Sequence, residues 1–175
     1  NQCYDEPPET IISHSYFVSY PEKFYRFYRD KMLPLNAEPN IGHLKLAELE
    51  AAGKLRAVLT QNIDGLHQKA GSKEVLELHG SVHRNYCMKC GKFWPVQEIA
   101  LDNDVMRRAI EHIRKADMMI VAGSSLVVYP AAGLINYYKG HRLVLINRSA
   151  TPFDDQADLV VHDTIGKVFG AIEVR

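Results

Sequence analysis

Cys87 and Cys90, in N-Y-C-M-K-C-G-K-F-W, have the C-x-x-C spacing of a zinc knuckle. A structural zinc takes four thiolate or imidazole ligands in a tetrahedron, so this pair supplies half a site. The one further cysteine, Cys3, is remote, and no histidine has ligand spacing beside the pair. The redox alternative needs a pair at a helix start after a strand. Gly91 after the second cysteine favours a knuckle turn instead. A second set of chemical groups comes after four short apolar runs. Gln61-Asn62-Ile63-Asp64 follows L-R-A-V-L-T, and Gly123-Ser124-Ser125 follows M-M-I-V-A. Asn147-Arg148-Ser149 follows R-L-V-L-I, and His162-Asp163-Thr164 follows D-L-V-V. Amide, hydroxyl, carboxylate and guanidinium groups at successive strand ends suit one polar ligand, a nucleotide, lying across a sheet edge. Gly123-Ser124-Ser125 before a helix suits a phosphate. The bland alternative is that strand ends run into loops, and loops are polar. No G-x-G-x-x-G occurs, which counts against a complete dinucleotide-binding domain of that kind.

These runs need elements to position them. A helix is predicted over 19–33, with Pro21 in its first turn and Phe24, Phe27, Tyr28 and Met32 on one face. A second is predicted over 39–55, capped by Asn40 and stopped by Gly53. A third spans 102–117, with Asp102 or Asn103 as cap, and 94–100 reads as the start of a further one. Residues 129–140 are helical between Pro130 and Gly140, and 164–174 form a closing helix capped by Thr164. The intervening runs do not alternate, as in strands buried on both faces. The fold class is therefore α/β: a doubly wound parallel, Rossmann-like sheet with helices on both faces.

Composition sets the limits. Of 175 residues, 46% are hydrophobic, enough for a packed core. Lys+Arg and Asp+Glu balance at 21 each, which argues against a broad nucleic-acid or membrane surface held by bulk charge and leaves a local basic groove open. No apolar run is long enough to span a bilayer, no secretory leader is visible, and the cysteine usage predicts a reducing, cytoplasmic setting.

Three stretches carry a resemblance. T-Q-N-I-D-G-L-H-Q-K-A-G-S-K-E-V-L-E-L-H-G-S-V-H-R-N-Y-C-M-K-C-G-K-F (60–93) resembles the core of the sirtuins, the NAD-dependent protein-lysine deacylases. V-A-G-S-S-L-V-V-Y-P-A-A-G-L (121–134) resembles their second nucleotide loop, and 143–161 resembles their adenosine-binding strand and the segment after it. The matches run in order from about Pro7 to the end, and look most like bacterial and archaeal members. The resemblance implies that Gln61, Asn62, Ile63 and Asp64 line the nicotinamide and ribose pocket. It implies that Gly123, Ser124 and Ser125 hold phosphate and ribose oxygens. Asn147 and Arg148 would contact the adenosine ribose, and Asp163, Thr164 and Ile165 would sit near the adenine. His79 would be the general base; without the resemblance it has no more claim than His67 or His83. Val127 and Val128 would face an acetyl-lysine peptide or protein, and Cys87 and Cys90 would bind a structural zinc. In the implied reaction the acetyl oxygen attacks the nicotinamide ribose and nicotinamide leaves. His79 then activates a ribose hydroxyl, giving lysine and O-acetyl-ADP-ribose. Desuccinylating members hold the acyl carboxylate with a Tyr-x-x-Arg pair; here Tyr25 matches and Tyr28 stands at the arginine position.

The sequence also departs from the family. A first strand with a G-A-G-I-S loop, a P-D-F-R segment, a second C-x-x-C and a short substrate-pinning strand are all absent. The last two belong between Ala100 and Leu101. These residues are expected to be missing from the sequence rather than deleted from the protein, since deletion would remove a sheet strand and half a metal site together. The expected division is a Rossmann-like NAD-binding domain from 1–84 with 101–175, and a zinc-module remnant at 85–100. The alternative function is an inactive module that binds ADP-ribose or a protein partner.

Overall fold

In this computed structural model the described residues are 4–33, 36–86, 93–94, 103–127 and 131–174. Cys87, Cys90, Asp102, Val128, Pro130 and the Ala100–Leu101 joint lie outside them. The chain forms two units, Asn1–Ala37 and Glu38–Arg175.

The first unit contains α1 (Pro8–Ile11), α2 (His14–Ser19) and α3 (Pro21–Phe27). Ser13 Oγ caps α2 by accepting from Tyr16 N at 3.2 Å, and Pro21 opens α3 as expected. The helix predicted through residue 33 widens into a single π turn over Tyr28–Met32. Such turns are rare and gather at functional sites. Ile11, Tyr16 and Phe27 form the core, with Phe24 and Met32 packed against it.

The second unit begins with α4 (Ile41–Ala51). Asn40 Oδ1 accepts from Gly42 N and His43 N, while His43 Nδ1 accepts from Asn40 N at 3.2 Å. This is a reciprocal capping box with histidine in the place usually taken by Glu or Gln. Gly53, at φ +69°, ends the helix as expected. β1 (Val58–Thr60) is followed by α5 (Leu66–Lys69) and then β2 (Val75–Glu77), which pairs parallel with β1 from Val58↔Val75 to Thr60↔Glu77. β3 (Asn85–Tyr86) and β4 (Phe93–Trp94) form an antiparallel hairpin. Trp94 is thus strand, not the helix start predicted for 94–100. α6 (Asn103–Lys115) leads into β5 (Met119–Ala122). α7 (Ala131–Leu134) continues as a 3₁₀ turn to Tyr137, ending before Gly140. β6 (Leu143–Ile146), β7 (Leu159–Val161) and α8 (Ile165–Gly170) complete the chain. β5, β6 and β7 form one parallel sheet.

The sequence predicts one parallel sheet; the described residues form two parallel ladders, β1–β2 and β5–β6–β7. One core serves both. Leu76 and Leu78 from the first ladder pack with Ala109 and Ile113 of α6 and Leu134 of α7, and Leu59 and Met119 border the same cluster. Leu126, Ile135, Leu143 and Leu145 form a second cluster. Thr164 holds the cap position of α8, but its side chain makes no cap bond. Separately, Asp163 Oδ1 accepts from Thr164 N at 2.7 Å.

Leu145 is 1% exposed at the centre of β6, whereas Leu159 on edge strand β7 is 53% exposed. Leu145→Ala is expected to cost about 2–5 kcal/mol in urea unfolding, through lost transfer energy plus a cavity. Leu159→Ala should stay within about 0.5 kcal/mol. Equal losses would place the core elsewhere.

Candidate functional site

The loop after β1 and the loop after β2 are stitched together by backbone. Leu78 N donates to Thr60 O at 2.8 Å and Val82 N donates to Ile63 O at 2.9 Å, on either side of His79. His83 Nε2 lies 3.1 Å from Asp64 O. Within the first loop, Thr60 Oγ1 accepts from Asn62 N and Asp64 Oδ1 accepts from Leu66 N, both at 3.0 Å. Gly65 has φ +70°, and a Cβ there would stand 2.8 Å from His83 Cδ2, so no larger residue fits. His79 occupies a turn closed by Gly80 N donating to Glu77 O at 3.1 Å. Gln61, Ile63, Asp64 and His79 are half-buried and Asn62 is exposed. Two polar loops therefore form one rigid lip.

The other ladder makes a second lip. Gly123 N donates to Ile146 O at 2.9 Å, and Asn147 N donates to Val161 O at 3.1 Å. The loop after β6 is fixed by Asn147 Nδ2 donating to Ser149 O at 3.0 Å. His162 Nδ1 lies 3.1 Å from Asn147 O, with Nε2 3.4 Å from Asp154 Oδ2. Thr151 holds Asp154 Oδ1 through its hydroxyl at 2.6 Å and its N–H at 3.0 Å. That hydroxyl bond, above all, keeps the Asp154 carboxyl below its usual range. Asp163 accepts from Lys167 at 2.5 Å, which lowers it likewise. Ser125 and Arg148 are exposed.

Ile165 packs between the second lip and the start of α4. Gly123 has φ +64°, and a Cβ there would meet Ile165 Cδ1 at 2.5 Å. A Cβ on Gly42, at the start of α4, would stand 3.1 Å from Ile165 Cγ2. One residue on, the His43 ring packs against His67, with centroids 4.6 Å apart. His67 lies three positions after Asp64. A chain of contacts thus runs from Gly123 through Ile165 and the start of α4 to α5, the helix that follows the Asp64 loop. Gln61, Asn62, Ile63, Asp64 and His79 stand on one lip; Gly123, Ser124, Ser125, Asn147, Arg148, Asp163, Thr164 and Ile165 stand on the other.

Some site features escape sequence reasoning. Leu126 has φ +55°, a left-handed backbone that a branched residue adopts only under constraint. Its side chain is buried in the second core cluster, and its N–H donates to Ser124 Oγ at 3.2 Å. The twist leaves the neighbouring Val127 62% exposed. No sequence signal marks that backbone. Among the described residues no cluster of three or more His, Cys, Asp or Glu side chains could hold a metal. A surface hollow of about 470 Å³, lined by Arg107, Glu111, Arg114 and Tyr137 among others, includes none of the candidate residues.

Burial, above all, holds His43 and His67 below the usual imidazole range, while the Asp64 charge acts in the opposite direction on both. The folded state therefore resists protons that the unfolded chain accepts. Their contribution to stability is complete above the unfolded value, about 6.5, and is lost as pH falls through the lower folded values. His43→Gln keeps an acceptor for the cap and removes the titration. Its urea midpoint is expected to fall less than the wild type's between about pH 7.5 and 5.5. An unchanged difference would remove His43 from that pH dependence.

A family model described as "Sir2 family" matches residues 4–102. A Clostridium acetobutylicum protein named "NAD-dependent protein deacetylase" is 48% identical, over 95% of this chain and 78% of its own length. A Clostridium perfringens protein of the same name is 51% identical, over 94% and 78%. Among solved structures, "Sir2 bound to acetylated peptide" superposes with a TM-score of 0.86 at 39% identity, over 93% of this chain and 82% of that one. A complex of Sir2 with an inhibitor, 2'-O-acetyl-ADP-ribose and deacetylated p53 peptide gives 0.85 at 40%, over 94% and 84%. These neighbours and the parallel ladders bear out the Rossmann-like α/β class.

Proposed function

The chain belongs to the Sir2 family, and from that premise we propose that it is an NAD-dependent protein-lysine deacetylase, moving the acetyl group of acetyl-lysine to ADP-ribose with release of nicotinamide. The observation that supports this reading is the pair of backbone bonds, Leu78 to Thr60 and Val82 to Ile63, that ties the turn carrying His79 to the segment of Gln61–Asp64. The names of the relatives and the peptide and acetyl-ADP-ribose complexes of the neighbours support it.

The residues present fit NAD. Asn62 offers a donor and an acceptor and Asp64 offers acceptors, which matches a carboxamide. Gly123, with no side chain and φ +64°, leaves backbone open to close approach beside Ser124 and Ser125. Asn147 and Arg148 would hold the adenosine ribose, with Asp163, Thr164 and Ile165 near the adenine. NAD supplies the ribose carbon that takes the acetyl oxygen as nicotinamide departs. Imidazoles as a class titrate at about pH 6.5, which suits a base at neutral pH. His79 would receive the proton of a ribose hydroxyl at a ring nitrogen. Exposed Val127, with Val128, would border an extended acetyl-lysine peptide.

Three finer assignments belong to the same proposal. Cys87 and Cys90 would supply two of four zinc ligands, the others coming from residues beyond Ala100. The described β3–β4 hairpin flanks that pair in sequence. The C. acetobutylicum alignment runs over 192 residues, whereas 95% of this 175-residue chain is about 166. That difference means that the relative has residues this chain lacks; their place between 100 and 101, and with it the division into a nucleotide-binding domain and a zinc-module remnant, is proposed from the half-complete C-x-x-C site. Among the described residues no helix is long and apolar enough to cross a membrane. A cytoplasmic setting, without membrane or nucleic-acid partners, is proposed from the cysteine usage and charge balance.

His79→Ala is expected to lower deacetylation of an acetylated peptide by about 10² to 10⁴-fold, with ADP-ribose binding retained by calorimetry. Near-normal turnover would sink the assignment. Wild-type binding of ADP-ribose without any turnover would favour the inactive binding module.

Acyl choice gives a second test. Tyr28 is buried, and burial pushes its phenol up, so the arginine position of desuccinylating relatives holds a neutral group here. A buried succinyl carboxylate without its cation is costly. Acetyl peptide should turn over faster than succinyl peptide; the reverse order would overturn this choice.

A further inference from the structure

We propose that Glu77 and Arg84 are a positioning pair for His79, an ion pair that closes the base of the loop carrying it and balances the charge around it. This rests on the reading of His79 as the general base. Glu77 is the last residue of β2, opposite Thr60 in the ladder, and its side chain is 1% exposed. Its Oε2 accepts from Arg84 Nη2. Its Oε1 is buried and has no hydrogen-bond partner among the described residues. Among the described residues that carboxylate is held by Arg84, and removing the cation leaves a buried charge without its described partner. Arg84 is half-exposed, so it reaches inward from the rim.

The intervening chain is a closed ring. At one end Gly80 N returns to Glu77 O at 3.1 Å. At the other, Arg84 N returns to Ser81 O at 3.3 Å, and Ser81 Oγ accepts from His83 N at 3.2 Å. Two turns in succession carry the chain from 77 to 84, and the ion pair joins its two ends. His79 sits in the first turn, next to Leu78, whose N–H is bonded to Thr60. The backbone bonds fix the height of the ring above the ladder. The ion pair fixes its width, and so the direction in which a side chain of the first turn is presented. A surface ion pair of ordinary kind would contribute little. Here one partner is buried two residues before the base.

The test uses pH–rate profiles of the full chain on acetylated peptide. Arg84→Gln leaves the carboxylate unneutralised, which favours the imidazolium form of His79. The acid limb of kcat/KM should move to higher pH by about 0.3–1 unit, with kcat lowered about 10- to 100-fold and little change in KM for NAD. Glu77→Gln leaves the guanidinium unpaired, and its limb should move the other way. The double variant should return the limb towards the wild-type position, and Arg84→Lys, which keeps the charge, should not move it. Asp64, His67 and His83 on the adjoining segments are also charged or titratable, and none is changed in these variants. If Glu77→Gln does not fold, the contrast between Arg84→Gln and Arg84→Lys carries the test alone. Limbs that stay fixed in Arg84→Gln, or move alike in Arg84→Gln and Arg84→Lys, overturn the pair. A wild-type acid limb that persists unchanged in the residual activity of His79→Ala overturns instead the reading of His79 on which the pair rests.

Discussion

The burial of α6 across two parallel ladders is the constraint on which the unit depends. β1–β2 and β5–β6–β7 share no hydrogen-bonded ladder among the described residues. Backbone bonds fix register within each ladder but cannot fix one against the other. That is left to Ala109 and Ile113 of α6, packed with Leu76, Leu78 and Leu134. Hydrophobic burial is strong, at about 25 cal/mol per Å² of apolar surface, but non-directional. Close packing, rather than burial as such, must therefore set how the strand ends face each other. Ala109, with no exposed surface, lets the helix approach closely.

Direction is then supplied near the carboxyl ends. Ile165 stands where Gly123 and Gly42 leave no room for a side chain, so α8, α4 and the end of β5 are held by mutual exclusion. Across the same region His43 serves two purposes. Its Nδ1 completes the α4 cap, and its ring covers His67, three residues after Asp64. Because the cap needs a bare ring nitrogen, it needs a neutral ring, and burial favours the same state. Helix capping, loop placement and protonation thus share one side chain.

The legible parts of the sequence were those governed by local rules. Asn40 and Gly53 bound α4 as their residue types dictate, and the apolar runs before Asn147 and Gly123 are strands in parallel register. β2 was not legible, because three residues ending in Glu77 carry no period. Thr164 takes the cap position that its type predicts, but its hydroxyl makes no cap bond, a choice of side-chain rotamer that spacing does not encode. The π turn at Tyr28–Met32 and the left-handed Leu126 arise from packing, which spacing does not encode. His79 stood out from the other histidines only through the resemblance. The Glu77–Arg84 link was invisible because ion pairs across a loop depend on how the loop closes.

Departures from local rules are not scattered evenly. Among the described residues the buried polar side-chain atoms without a partner are His67 Nδ1, Ser72 Oγ and Glu77 Oε1. All lie on the segment that runs from α5 into β2, between the Asp64 loop and the His79 loop. The left-handed Leu126 comes directly after Gly123-Ser124-Ser125 in the opposite lip. Each such group carries a cost that a segment shaped by stability alone would have shed. Glu77 and Leu126 stand at the carboxyl ends of β2 and β5 or just beyond them, His67 lies in α5, and Ser72 precedes the amino end of β2, so the costs fall on the connections between elements and the core beneath must be strong enough to hold them. In this chain the strength comes from α6 and the two ladders, and the cost is borne by the segment that joins β1 to β2 and by the turn after β5.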